Sequence, residues 1–266
     1  MADSVYISKN LDGNQLRFMK LLDAHEILYF NMHNIEQQLN QKFENLNEIL
    51  ENLVDKEILV RIERGMYTLS NYTNINVLAT FISKNSAIAY WSALHYHGLT
   101  ERFPNTLFVK TTQRKRSTEI LGTSVKFVTV KENKNIGLLQ EGYGDNSFPI
   151  TDIEMTLIDC FDQTRYAGDL ADLIKAFATA NLTNNKLIEY TRAYNNIAVT
   201  KRMGFLAEVF HGNRLNGFIN YAKTQVNKKY SLIDAGGLQQ GEFVSDWKLR
   251  LNISYNDLLQ MAQNEY

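Results

Sequence analysis

The chain has 266 residues, 44% apolar and 21% charged, with a formal net charge of −1, an ordinary balance for a globular protein long enough for two domains. Its one cysteine, Cys160, excludes an internal disulfide framework, and two prolines, Pro104 and Pro149, leave no Pro-rich linker. No apolar run approaches the ~20 residues that span a bilayer, and the opening MADSVYISKN lacks the basic-then-apolar order of a signal peptide, so a cytoplasmic protein with no membrane association is expected.

Charge is distributed unevenly. Residues 1–80 hold 7 Lys/Arg against 11 Asp/Glu, residues 84–134 hold 9 against 3, and residues 135–266 hold 12 against 15. A basic middle flanked by acidic segments marks a surface for a polyanion or an acidic partner.

Apolar spacing predicts helices over Gln15–His25, Met32–Leu39 and Asn45–Asp55. In the third, Leu46, Ile49, Leu50 and Leu53 recur at i, i+3, i+4 and i+7, and Asn45 with Glu48 reads as a capping-box start. Two apolar-rich strands follow, Glu57–Ile62 and Met66–Leu69, joined across Glu63-Arg64-Gly65. Three helices and a hairpin predict a winged helix-turn-helix domain over residues 1–72, a unit that places a helix in a DNA groove and its hairpin on the backbone. Its candidate DNA contacts are Lys42, Asn45 and Asn47 near the start of the third helix, where asparagine suits adenine, and Arg61, Arg64 and Tyr67 on the hairpin. The polar face of that helix opposes this role: Glu44, Glu48, Glu51 and Asp55 carry the wrong sign for phosphate. The plainer alternative is a protein-contact module in which Arg61 and Arg64 are solvated or paired with Glu63 and Glu57.

The polar cluster Ser70-Asn71-Tyr72-Thr73-Asn74 marks a boundary, with a second domain over residues 73–266. Helices are expected at Ile75–Ser83 and at Ala87–Tyr96, the latter capped by Ser86, and strands at Thr106–Thr111, Ser124–Val130 and Phe148–Ile150. Helices follow at Ile153–Phe161, Leu170–Thr179, Asn185–Tyr194 and Val199–Phe210, the last interrupted at Gly204. Short strands at Lys229–Ile233 and Trp247–Leu251 and a helix at Tyr255–Asn264 complete the chain. Strands first and helices mostly later give an α+β class with a mixed α/β second domain.

Within that domain, Lys110, Arg114, Lys115 and Arg116 crowd the stretch KTTQRKRS, with Lys126 on the next strand and Lys131 just past its end. This is an electrostatic footprint for nucleic acid or, more plainly, a solvated hairpin loop. His95 and His97 are two residues apart and face different sides of a helix, and His25, His33 and His211 lack a ligand cluster at zinc spacing. His97-Gly98 reads as a helix end. Asp152, Glu154, Asp159 and Asp162, with Asp246-Trp247-Lys248 as a D-x-K, contain the ingredients of a Mg²⁺-dependent nuclease. Capping and the helix dipole account for Asp152 and Glu154 without catalysis. There is no Gly-rich phosphate loop and no G-x-S-x-G. Cys160 reads as a buried small apolar group, and Tyr90, Trp91, Tyr96 and Phe103 as core packing in preference to a base-stacking platform. No catalytic residue, cofactor or metal is expected.

Four segments, in order, resemble one family. Ala89-Tyr90-Trp91-Ser92-Ala93-Leu94-His95-Tyr96-His97-Gly98-Leu99 resembles the SAL-x-x-HGL segment of AbiEi-type antitoxins, the antitoxin halves of type IV toxin–antitoxin systems. Thr151-Asp152-Ile153-Glu154-Met155-Thr156-Leu157-Ile158-Asp159 is similar to that family's E-x-T-L-I/L-D run, Arg202-Met203-Gly204-Phe205-Leu206 to its R-L-G-x-L, and Arg64-Gly65-Met66-Tyr67 to its R-G-x-Y. Together they span roughly residues 15 to 252. The resemblance implies a non-enzymatic regulator of phage defence by abortive infection. Its winged helix would bind repeats in its own promoter, and its second domain would oppose a nucleotidyltransferase-like toxin without a stable complex. The basic stretch would then supply the antitoxic or second DNA-contacting surface. Many relatives carry an Arg-rich third helix, and here it is acidic. The alternative is a non-catalytic protein-interaction module or a stand-alone DNA-binding regulator without a toxin.

Overall fold

A computed structural model describes residues 10–263, and its class is α+β. Helix α1 (Gly13–Ala24) opens with a complete capping box: the Asp12 carboxylate accepts from the N–H groups of Asn14 and Gln15, and the Gln15 side chain accepts from the Asp12 N–H. Strand β1 (Tyr29–Asn31) leads into α2 (Met32–Gln38), and α3 (Leu46–Asp55) leads into the hairpin of β2 (Leu59–Glu63) and β3 (Met66–Leu69). The capping box expected at Asn45 does not form; Asn45 precedes α3 without a side-chain cap. Strand β1, which the sequence did not reveal, pairs antiparallel with β3 to make a sheet of order β1-β3-β2. The apolar stripe of α3 closes this unit as foreseen, with Leu50 and Leu53 fully buried against Phe18, Leu22, Ile35 and Leu59.

Next come α4 (Ile75–Phe81), β4 (Ser86–Ile88) and α5 (Tyr90–Tyr96). The single helix expected over Ala87–Tyr96 is thus a strand and a helix, and Ser86 is a strand residue, not a cap. The break falls at Tyr90, whose φ of 56° lies in the left-handed region. Strands β5 (Thr106–Thr111), β6 (Thr118–Ile120), β7 (Thr123–Thr129), β8 (Leu138–Glu141) and β9 (Phe148–Thr151) join β4 in a mixed sheet of order β6-β7-β5-β4-β9-β8. Its β5–β7 pair is parallel over the full length of β5.

One face of this sheet carries Val109, Val125, Phe127 and Ile150 into a cluster with Val77, Leu78 and Ile82 around α4, and Ile62 and Met66 of the amino-terminal hairpin join it. The other face is covered by α6 (Ile153–Asp162), α7 (Leu170–Thr179), α8 (Asn184–Tyr194), α9 (Ile197–Phe210), α10 (Asn216–Thr224) and α11 (Tyr255–Gln263). A small sheet of β10 (Ser231–Leu232), β11 (Glu242–Val244) and β12 (Leu249–Leu251) packs against them. Helix α9 runs through Gly204 unbroken, correcting the expected interruption. Asn264, expected to end the last helix, lies outside the described residues, as does most of the amino-terminal stretch read for a signal peptide. Among the described residues no helix is long and apolar enough to cross a membrane.

Candidate nucleic-acid interface

The residues expected to touch DNA divide sharply by exposure. Lys42, Asn45 and Asn47 are exposed at and just before the start of α3. Arg64 is exposed at the tip of the β2–β3 hairpin, where Gly65 takes a φ of 74° to turn the chain. Tyr67 does not belong with them. It is 2% exposed, and its ring stacks on Phe30 at 5.7 Å in the core beneath the hairpin. The reason is register: inward positions of β3 face α1 and α3, and Tyr67 occupies one. Arg61 forms an ion pair with Glu51 on α3 and lies 5.6 Å above the Tyr67 ring, in place of the expected Glu63 or Glu57. That pairing removes one of the four acids from the open face of α3.

Glu63 has another partner. Lys115, on the connection between β5 and β6, donates to both of its carboxylate oxygens, at 2.8 and 2.6 Å. The Lys115 side chain is 16% exposed and also lies 5.4 Å from the Phe127 ring centroid. The basic connection is therefore held against the hairpin that carries Arg64. Arg114 and Arg116 flank Lys115 on that connection, both exposed, and among the described residues neither forms an ion pair.

The other cations assigned to this surface are scattered. Lys110 is fully buried: its ammonium donates to Asp159 at 2.9 Å and to the Lys134 carbonyl at 3.1 Å, so it is no part of any basic surface. It falls on an inward position of β5, facing α6. Lys126 is half-buried in β7. Lys131, past the end of β7, is exposed on the rim of a separate cleft lined also by Lys134, Lys201 and Lys229, a grouping the sequence spacing did not reveal.

The carboxylates at the start of α6 and two of the histidines, His97 and His211, are engaged within the fold. Asp152 caps α6 by accepting from the Met155 N–H and also takes the Tyr190 hydroxyl, and Glu154 accepts from the N–H and hydroxyl of Thr183. Lys186 bridges the two. His97 ends α5, with its Nε2 2.7 Å from the Thr151 carbonyl oxygen, and Gly98 takes the left-handed conformation foreseen for it. Cys160 is buried. Of the aromatics, Tyr90 is fully buried, but Phe103 is 77% exposed and tilts over His95, outside the core. Among the described residues no group of three or more His, Cys, Asp or Glu side chains could hold a metal ion.

Three of the four segments that carry the family resemblance stitch elements together. The Ser92 hydroxyl accepts the Phe108 N–H, joining α5 to β5. The Thr151 and Thr156 hydroxyls meet at 2.6 Å where β9 enters α6. Arg202 donates to the Leu232 carbonyl at 2.7 Å and to that of Phe161 at 3.5 Å. Such contacts describe a fold, and the fold has a solved counterpart. The fold is similar to that of the RV2827C protein from Mycobacterium tuberculosis. The two superpose with a TM-score of 0.68 over 97% of each chain, at 13% sequence identity. No protein-family model matches the chain, and no curated protein matches it. At that identity the likeness extends to architecture alone.

Proposed function

We propose that the chain is a DNA-binding antitoxin of the AbiEi kind: an autorepressor that binds repeats in its own promoter and neutralises a nucleotidyltransferase toxin in phage defence. Residues 1–72 act as a winged helix-turn-helix in this reading, and residues 73–266 as the antitoxin domain. The order α1-β1-α2-α3-β2-β3 with its three-stranded antiparallel sheet supports the first assignment. The four motif resemblances support the second.

The observation that carries DNA binding is the clamp of Lys115 on Glu63. It brings the connection bearing Arg114 and Arg116 to the hairpin bearing Arg64, a cationic set for phosphate that α3 alone does not provide. In this arrangement the hairpin and the basic connection hold the backbone, and Asn45 and Asn47 reach base edges from the start of α3.

The test is a gel shift of the full chain on its own upstream DNA across a salt series. Arg64→Ala and the double substitution Arg114→Ala/Arg116→Ala should each weaken the shift and flatten its salt dependence, by about one unit of slope per lost phosphate contact. Growth rescue in cells expressing the toxin tests the antitoxin half. One other reading has its own support: the exposed acids Glu48 and Asp55 on α3 and Glu44 just before it suit a basic protein partner. No shift at moderate salt would retire the repressor and leave that interaction module in its place.

A further inference from the structure

A cleft of about 620 Å³ opens at the carboxyl end of β7, which pairs in parallel with β5. Its walls are the segment after β7, the end of α6, the α8–α9 turn and the stretch leading to β10. In open α/β sheets this end of a parallel pair is where ligands settle, and the size suits a small molecule. Four lysines line it, Lys131, Lys134, Lys201 and Lys229, against one acid, Asp162. Only Lys134 is paired with that acid, at 2.9 Å.

Lys201 is the unusual member. It is 1% exposed, and its ammonium spends its donors on the carbonyls of Lys229 at 2.6 Å and Lys248 at 3.2 Å and on the Asn227 side chain at 3.5 Å. Burial, then the nearby charges of Arg202 and Lys229, lower its pKa. Arg202 beside it is 8% exposed and held by carbonyls alone. Among the described residues neither cation forms an ion pair. Burying a cation is costly: carbonyl and amide oxygens offset part of that cost at Lys201, and the charges of Asp162 and Asp234 favour the Arg202 cation, so the floor of the cleft is left electropositive mainly at its lysines.

A second observation points into the same cleft. Tyr90 lines it and is fully buried, yet among the described residues its hydroxyl has no hydrogen-bond partner. A buried orphan hydroxyl calls for a missing partner. The first turn of the 14-residue helix α9 also faces the cleft and adds the positive end of its dipole to the local field, while its Ala198 and Val199 N–H groups are capped by the Asn196 side chain. Asn133, Asn195 and Asn227 add amides that both donate and accept.

We propose that this cleft binds a nucleoside phosphate, with its phosphates against Lys131 and Lys229 and its base and sugar among the asparagines. The site is distinct from the Arg64, Arg114 and Arg116 surface, and it does not depend on DNA binding.

The test is calorimetric titration of the full chain with ATP, with inorganic phosphate and with adenosine, repeated on Lys131→Ala/Lys229→Ala and on Tyr90→Phe. Both lysines are exposed, so the double variant should fold normally, which its melting curve checks. ATP is expected to bind the wild type at least tenfold tighter than either fragment. The double variant should lose at least tenfold in ATP affinity, and Tyr90→Phe several-fold. No ATP binding at millimolar concentration would overturn the proposal, as would ATP binding that the folded double variant retains in full. Phosphate binding as tightly as ATP would overturn the nucleoside assignment, and adenosine doing so would overturn the phosphate one.

Discussion

Lys110 Nζ lies 2.9 Å from a carboxylate oxygen of Asp159, and neither side chain has any exposed surface. The pair ties β5 of the sheet to α6 of the helical layer. Burial pushes the Asp159 carboxyl up in pKa, and the Lys110 ammonium only partly offsets this. Lys110→Met leaves the carboxylate buried without its cation, a change that costs about 3–5 kcal/mol in such pairs. Adding Asp159→Leu should recover most of that loss, because the two apolar groups need no solvation. The single variant should also become more sensitive to alkali. A carboxyl whose folded pKa exceeds its unfolded one binds a proton more tightly when folded, so stability falls as pH rises between those two values. Urea melts of wild type, Lys110→Met and the double variant at pH 5 and pH 8 check both points. Equal stability of wild type and Lys110→Met would contradict the reading.

That pair also marks how far sequence pattern reaches. The Leu46, Ile49, Leu50, Leu53 stripe places a buried helix face correctly, because a 3.6-residue period is a local property. Strand β5 lies where it was expected, over Thr106–Thr111. Strands β1, β6 and β8 went unseen because each has only three or four residues and exists through its partner strand. The run from Ser86 to Leu94 is apolar almost throughout, so no period separates its strand from its helix. Lys110 stands four residues before Arg114 and reads as part of one basic stretch. Its partner is 49 residues away, and only the tertiary fold separates a core cation from the exposed ones. The same limit hid the cleft lysines, which come from three separate segments.

Tyr67 offers a direct comparison between its core role and the surface role expected of it. Its ring packs on Phe30, and its hydroxyl accepts from Arg61 at a long 3.4 Å. Tyr67→Phe should leave both folding and any DNA shift nearly unchanged. Tyr67→Ala should cost about 3–5 kcal/mol, as large-to-small aromatic truncations do. Thermal melts alongside gel shifts check this; a stable Tyr67→Phe protein that no longer shifts DNA would restore Tyr67 as a contact.

Asp162 holds the region between α6, α8 and α9 together. Its carboxylate accepts from Lys134 Nζ at 2.9 Å, Tyr194 Oη at 2.8 Å and Asn196 Nδ2 at 2.6 Å. Burial alone would raise its pKa, but these donors outweigh burial and hold the carboxyl below its usual range. A depressed folded pKa stabilises the protein above the unfolded value of about 3.9 and loses that contribution as pH falls through the folded pKa. Asp162→Asn should therefore cost about 1.5–3 kcal/mol at pH 7. The gap between variant and wild type should narrow as pH drops below about 4. Urea midpoints at pH 7 and pH 3 read the difference; a gap that widens in acid would reverse the sign of the shift.

Gly204 separates two accounts of one helix. Taken as a helix interruption, it would be a weak point that Gly204→Ala strengthens by about 1 kcal/mol, the propensity gain of alanine over glycine. In the fold, Gly204 is where the six-membered ring of the Trp247 indole packs on α9. A Cβ added there would stand 2.4 Å from one indole carbon and 2.7 Å from the Ala222 side chain. Trp247 cannot step aside, since it is 1% exposed and its indole N–H donates to Glu208 at 2.6 Å. Overpacking of this kind costs about 1–3 kcal/mol and outweighs the propensity gain. Gly204→Ala should thus lower the denaturation midpoint, and pairing it with Trp247→Leu should recover part of the loss by opening space above the helix. A midpoint raised by the single substitution would mean that the indole gives way, and that local propensity governs α9 after all.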